Sequence, residues 1–167
     1  MEFFEVIEKR YSVRGYTADP VEVEKLDKIL EAALLAPTAC NLQAFKILVI
    51  KTEGFKEELR KIYKSEWFVE APYVLCVCSI PESSWIRRDR KNYSDVDAAI
   101  VMDHLILAAT DLGLGTCWIG AFDVDAARKV LDIEGDLEPI AFTPIGYAKP
   151  ITVKKSRKSL EDLIIYK

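Results

Sequence analysis

What this chain has little of narrows its chemistry first. Among 167 residues it has one histidine, one glutamine and two asparagines. No serine, cysteine or aspartate motif points at His104, so a hydrolytic triad is excluded and a packed or interface role is expected for this side chain. Cys40, Cys76, Cys78 and Cys117 are too few for a disulfide framework in a chain of this length. Cys76-x-Cys78 with a single histidine is poor zinc spacing, and buried free thiols are expected instead. The chain has no P-loop, no Gly-x-Ser-x-Gly elbow and no His-Glu-x-x-His helix. Gly113-Leu114-Gly115 followed by Gly120 imitates a dinucleotide fingerprint, but it follows a helical pattern where a strand is required. No run approaches the roughly 18 apolar residues of a membrane span. Met1-Glu2-Phe3-Phe4-Glu5 lacks the basic start and apolar run of a signal peptide, so a cytoplasmic protein is expected. Without an acid–base pair or nucleophile of its own, an enzyme of this sequence would take its chemistry from a cofactor.

Half of the residues are hydrophobic, which excludes a disordered chain. So large an apolar share in one small domain also favours a buried subunit interface. A net charge of −4 argues against nucleic acid as the main partner. Many Glu and Lys beside few Asn and Gln fit a heat-adapted source. Against this acidic background, Glu8-Lys9-Arg10-Tyr11-Ser12-Val13-Arg14-Gly15-Tyr16 is a local cationic knot. Arg10 and Arg14 bracket the Ser12 hydroxyl, and guanidiniums suit forked recognition of phosphate or carboxylate. Taken alone, the stretch reads first as a solvated basic turn with ordinary ion pairs, since exposed charges are the norm.

Helical spacing predicts a short first helix with Phe3, Phe4 and Ile7 on one face. Thr17-Ala18-Asp19-Pro20 then opens a second helix carrying Val23, Leu26, Leu30, Ala33 and Leu34, stopped by Pro37. A loop from Ala36 leads into a strand over Phe45–Ile50. Gly54 separates it from a third helix with Phe55, Leu59, Ile62 and Tyr63. Tyr73–Cys78 is nearly all apolar and predicts a central strand covered on both faces. Pro81–Tyr93 reads as an exposed loop whose Arg87, Arg88, Arg90 and Lys91 form a solvated face. Ser94 or Asp95 is positioned to cap the longest helix, which runs to about Leu112 and is apolar around much of its circumference. Thr116–Ile119 reads as a strand, Asp123 as the cap of a short helix, and Pro139–Tyr147 as the last strand. A polar arm follows, with Ser159 and Asp162 opening a helix over Leu160–Tyr166. No repeat or regular βα alternation appears. The expectation is one α+β domain over 1–167, with a mostly antiparallel or mixed sheet flanked by helices.

Four separated segments together resemble the nitroreductase family of flavoproteins. They are Arg10-Tyr11-Ser12-Val13-Arg14, similar to the family's Arg-x-Ser-x-Arg/Lys; Ala36-Pro37-Thr38-Ala39-Cys40-Asn41-Leu42-Gln43, similar to its Ala-Pro-Ser-x-x-Asn-x-Gln loop; Gly113-Leu114-Gly115-Thr116-Cys117-Trp118-Ile119-Gly120; and Lys155-Ser156-Arg157 with Leu160-Glu161. Their order spans nearly the whole chain.

The resemblance implies an intertwined homodimer with FMN at the interface, a C-terminal arm over about 149–167 that embraces the partner, and NADH or NADPH as electron donor. Arg10, Ser12, Lys155 and Arg157 would lie at the FMN phosphate and ribityl chain, Arg14 at the flavin N1/O2 edge, and Tyr11 is a further cofactor-binding residue. Pro37, Thr38, Asn41 and Gln43 would come from the other subunit. Trp118, Ile119, Gly120 and Ala121 would lie against the ring, with the Ile119 side chain packed on it. The implied reaction is ping-pong hydride transfer through flavin N5 to a nitroaromatic, a quinone or a similar small acceptor. Three features depart from the family's pattern. Ala44-Phe45 stands where proline and an aromatic are usual, Cys40 lies inside the loop, and the chain has no room for the helical insertion that covers the substrate channel in longer members. A more open pocket is therefore expected. A non-catalytic flavin-binding or interaction protein remains an alternative, as does a dehalogenating or flavin-cleaving relative, for which a substrate-clamping lid is expected and none is visible.

Overall fold

Three antiparallel strands, β1 (Phe45–Lys51), β2 (Tyr73–Ser79) and β3 (Glu138–Ile145), form a sheet in the order β1-β2-β3 in the computed structural model, which describes residues 1–167. In the register, Leu48 and Phe142 flank Cys76 from its two sides. From Val74 to Ser79, β2 is buried throughout, as its unbroken apolar run predicts for a central strand. Its side chains alternate between two cores. Leu75 and Val77 join the larger core with Leu26, Ile29, Met102 and Leu105. Val74, Cys76 and Cys78 join the other with Leu59, Phe68 and Phe142. The period of two thus sets one helical layer on each face of the sheet.

The first layer is α2 (Val23–Leu34) crossed by α4 (Ser94–Asp111). The second contains α3 (Lys56–Ile62) against α5 (Val124–Val130). Each fully buried Leu or Ile contributes about 1.5–3 kcal/mol relative to exposure. Within α2 this anchor is Ile29, with no exposed surface, while Val23 and Leu34 face outward. The predicted stripe of that helix is therefore rotated: Leu26, Ile29 and Ala33 point inward. Asp123 caps α5 as expected, accepting from the Ala126 amide at 2.9 Å. At α4 neither Ser94 nor Asp95 is the cap; Asn92 accepts from the Ser94 amide at 2.8 Å, and Tyr93 occupies the cap position.

Two expectations need correction. Thr116–Ile119 is not a strand, because its residues bridge different neighbours one at a time: Thr116 pairs with Ser12 and Ile119 with Phe142. The final helix, α6, covers only Leu160–Leu163, although the Ser159–Asp162 capping box is complete. It makes no buried contact that would extend it. The first helix, α1 (Phe3–Lys9), leaves Phe3 and Phe4 exposed. No helix is long and apolar enough to cross a membrane.

Candidate functional site

Past α1 the chain runs beside the 115–119 segment. Ser12 forms a parallel bridge with Thr116, and the Val13 amide donates to the Thr116 carbonyl at 2.8 Å. Val13 and Tyr16 point inward, and the Tyr16 hydroxyl donates back to the Val13 carbonyl at 3.2 Å. Burial pushes the Tyr16 phenol well above its usual range. Gly115 makes this close approach possible: a Cβ there would sit 2.8 Å from Val13 Cγ2. With that register fixed, Arg14 is exposed and Arg10 and Ser12 are half-buried.

The C-terminal arm returns to the same strip. Tyr16 bridges Ala148, the Lys149 amide donates to the Gly15 carbonyl at 3.0 Å, and Lys149 Nζ pairs with Glu70 at 3.0 Å. Beyond it, Lys155 Nζ donates to the Glu8 carbonyl. Arg10, Arg14, Lys155 and Arg157 have no carboxylate within ion-pair distance. Unneutralised cations in an acidic chain favour a bound anion over a self-paired turn. Arg157 is not drawn in; its only hydrogen bond is to the adjacent Ser156 carbonyl. A cavity of about 200 Å³ between Arg14, Gly15 and Lys149–Ile151 lies at the root of the arm. Tyr11 lines a second cavity, of about 160 Å³, with Lys9 and Thr116.

Cys117 adjoins the strip. Burial raises its thiol pKa, while Arg14, the Ser12 hydroxyl and Arg10 pull in the other direction. Sequence reasoning placed Thr116 and Cys117 in a segment that carries the resemblance but gave neither a site role; the parallel bridge to Ser12 is what brings them to the strip. Trp118, Gly120 and Ala121 are exposed. A Cβ on Gly120 would meet nothing nearer than Trp118 Nε1 at 3.9 Å, so the main chain is open to a flat group. Ile119 differs from expectation: it is 4% exposed, lies in the second core, and bonds Phe142 through both its N–H and its carbonyl. Its side chain supports the segment and is not available to pack on a ring.

The Pro37–Gln43 loop is the most strained backbone in the chain. Cys40, Asn41 and Gln43 have φ of 53°, 54° and 51°. The left-handed region costs about 1–2 kcal/mol for an L-residue, less for asparagine. Such strain persists where the surroundings impose it, often at ligand sites. Thr38 Oγ1 accepts from the Gln43 amide at 3.1 Å, and Gln43 Nε2 donates to Asn41 Oδ1 at 3.2 Å. The Ala39 amide donates to Asp97 Oδ1 at 3.0 Å. Within this chain the cationic strip with Trp118–Ala121 and the strained loop are not joined by any hydrogen bond. Ala44 is buried, and β1 begins at Phe45 without the proline.

The remaining sequence features have structural roles. His104 Nδ1 lies 3.0 Å from the Ile100 carbonyl of its own helix. Cys76 and Cys78 face the same side of β2, with Sγ atoms 3.6 Å apart inside the second core. Arg87 is held by Asp89 and Tyr93 on the exposed loop.

Known proteins resemble this chain in sequence family and in fold. The model of the Nitroreductase family matches residues 7–73 and 55–147. A crystal structure of a nitroreductase family protein from Clostridium difficile 630 is similar over 99% of this chain and 98% of its own, with 37% identity and a TM-score of 0.90. Another, from Clostridium novyi NT, is 34% identical over 89% of this chain and 86% of its own, with a TM-score of 0.84. A protein of Methanothermobacter thermautotrophicus, named a candidate NADH dehydrogenase/NAD(P)H nitroreductase, is 28% identical over 88% of this chain and 78% of its own length. On the matched family model and these relatives, the chain belongs to the nitroreductase family.

Proposed function

We propose that this chain is an FMN-dependent cytoplasmic oxidoreductase. It takes hydride from NADH or NADPH and delivers it, in a ping-pong cycle, to a nitroaromatic, a quinone or a similar small acceptor. The observation that carries the reading is the contact of Lys155 with the Glu8 carbonyl, two positions before Arg10, in a stretch where neither Arg10 nor Arg14 has a carboxylate partner. Cations and a hydroxyl without protein counterions are the donor set that a phosphate monoester requires. The named NADH and NAD(P)H activities of relatives support the choice of donor.

In this reading Arg10, Ser12, Lys155 and Arg157 hold the phosphate and ribityl chain of FMN, and Tyr11 belongs to the same cofactor site. Arg14 serves the N1/O2 edge, where its fixed positive charge favours the reduced, anionic ring. Trp118, Gly120 and Ala121 line the ring. Pro37, Thr38, Asn41 and Gln43 reach it from a second copy, with amide side chains that match a ring edge of mixed donors and acceptors. Bound FMN would supply the hydride-transfer chemistry between the nicotinamide and the acceptor. The protein supplies placement and charge, and none of its residues is assigned as acid or base. Two observations support a homodimer. The strained loop makes no hydrogen bond to the strip or to Trp118–Ala121 of its own chain, and apolar residues such as Phe3, Phe4, Leu35 and Ile165 are exposed.

Mixing the purified protein with FMN should give a yellow complex. Without oxygen, NADH or NADPH should bleach it and an acceptor should restore the colour. A protein that takes up no FMN overturns the reading. A complex that stays oxidised with both donors is a flavin-binding module instead.

A further inference from the structure

Asp97 lies in the first turn of α4 and is 2% exposed. A carboxyl group so buried normally has every oxygen satisfied. Here Oδ1 accepts one hydrogen bond, from the Ala39 amide 58 positions earlier, and Oδ2 is sealed from solvent with no partner. No lysine or arginine lies within ion-pair distance of it. The position near the helix N-terminus favours an acidic group, but it does not explain why a polar group is buried there at all. An apolar residue would fill the place without leaving an oxygen unmatched.

The single bond Asp97 makes goes to the loop. Ala39 opens the tight turn Ala39–Asn41, directly before Cys40, Asn41 and Gln43 enter the left-handed region. The other hydrogen bonds of that turn are internal to residues 38–43. Asp97 is thus the side chain through which α4 holds the strained segment.

We propose that Asp97 is a positioning residue of the flavin site: its buried carboxyl group pins the Ala39 amide and keeps Cys40–Gln43 preformed in the conformation that presents Asn41 and Gln43. The tether is a property of the loop itself, and its consequence for FMN rests on the functional reading above. Untethered, the loop would relax out of its strained conformation, and the cofactor would have to restore it on binding.

Three variants test this, with fluorescence titration of FMN and hydrogen exchange of the 38–44 segment as readouts. Asp97→Ala removes the acceptor. Ala39→Pro removes the donor, and Thr38, at φ −128° and ψ 156°, already has the extended backbone a following proline requires. Asp97→Asn keeps an oxygen acceptor. Asp97→Ala and Ala39→Pro should each raise the FMN Kd about tenfold or more and speed exchange in 38–44 alone, and Asp97→Asn should bring both readouts back to within about threefold of the parent. A purely structural aspartate would change stability without this pattern. FMN affinity and exchange unchanged in Ala39→Pro would overturn the proposal, even where Asp97→Ala does not fold. If the parent protein takes up no FMN, the functional reading fails and exchange alone decides the tether: faster exchange confined to 38–44 supports it, and unchanged exchange overturns it.

Discussion

Lys155 donates from Nζ to the main-chain carbonyl of Glu8, joining residues 147 positions apart. The contact brings a cation from the arm to the backbone two positions before Arg10, whose own side chain makes neither a hydrogen bond nor an ion pair within the chain. A charge held in place without a counterion is free to act on a ligand. Arg10→Ala should therefore weaken FMN binding about tenfold or more, because hydrogen bonds to charged groups contribute about 1.5–3 kcal/mol each. Folding should change by no more than about 0.5 kcal/mol, as for other surface positions. Equilibrium dialysis beside a urea melt separates the two effects, and a variant that keeps its full flavin complement would show the clamp to be misassigned.

The strip holding Arg10, Ser12 and Arg14 depends on Gly115. A methyl group there would stand 2.8 Å from Val13 Cγ2 and 3.2 Å from Val13 Cβ, too close for rotation of a buried β-branched side chain to relieve. The same glycine donates to the Gly146 carbonyl at 2.7 Å. Gly115→Ala should cost about 1–3 kcal/mol, the usual penalty for overpacking. Val13→Ala in the same chain should restore part of that loss. Urea midpoints at unchanged slope measure both, and equal stability of Gly115→Ala and the parent would mean that the two segments are free to separate.

These two sites also show where sequence reading succeeds and where it stops. The apolar run of β2, the Asp123 cap and the Ser159–Asp162 box are local patterns, and each appears as expected. The cationic strip and the Asn-x-Gln loop are legible as motifs. Their contacts are not: Thr116 and Cys117 stand in one of the segments of the resemblance, yet only the bridge to Ser12, more than a hundred positions away, shows that they join the strip. Ile119 carries no sign that its side chain is buried in the second core and not turned to a ligand. The left-handed backbone at Cys40 and Gln43 is equally hidden, since neither residue type signals it as glycine or asparagine does. Asp97 reads as an ordinary acidic residue of a helix's first turn until its burial is known.

Glu70 ties the strip to the rest of the body and should make stability depend on acid pH. Its Oε2 accepts from the Tyr16 amide at 2.8 Å, and its Oε1 pairs with Lys149. The Tyr16 N–H, opposed in part by burial and reinforced by Lys149, holds its carboxyl group below the usual 4.5. With the folded pKa depressed, the unfolded chain binds the proton more readily. The contribution is therefore fully present above the unfolded value and is lost as pH falls through the folded one. Melting temperatures between about pH 6 and pH 3 should fall less steeply for Glu70→Gln than for the parent. Parallel curves would assign the acid sensitivity to other carboxylates.

The arm makes the last and broadest prediction. Every residue from Lys149 to Lys167 is exposed, including Leu160 at 75%, Ile165 at 81% and Tyr166 at 90%. Apolar side chains carried on a locally capped segment, with no cover from their own body, need another surface. The proposed homodimer supplies one. A chain ending after Pro150 keeps the Lys149 bonds to Gly15 and Glu70, so the two cores should fold with unchanged circular dichroism. It should elute as a monomer on size exclusion and retain no FMN, because Lys155 and Arg157 are gone and the partner loop is no longer held nearby. The double variant Lys155→Ala with Arg157→Ala separates these causes: it should remain dimeric and lose affinity for FMN only. A shortened chain that is still dimeric and yellow would exclude the arm from both interface and cofactor site.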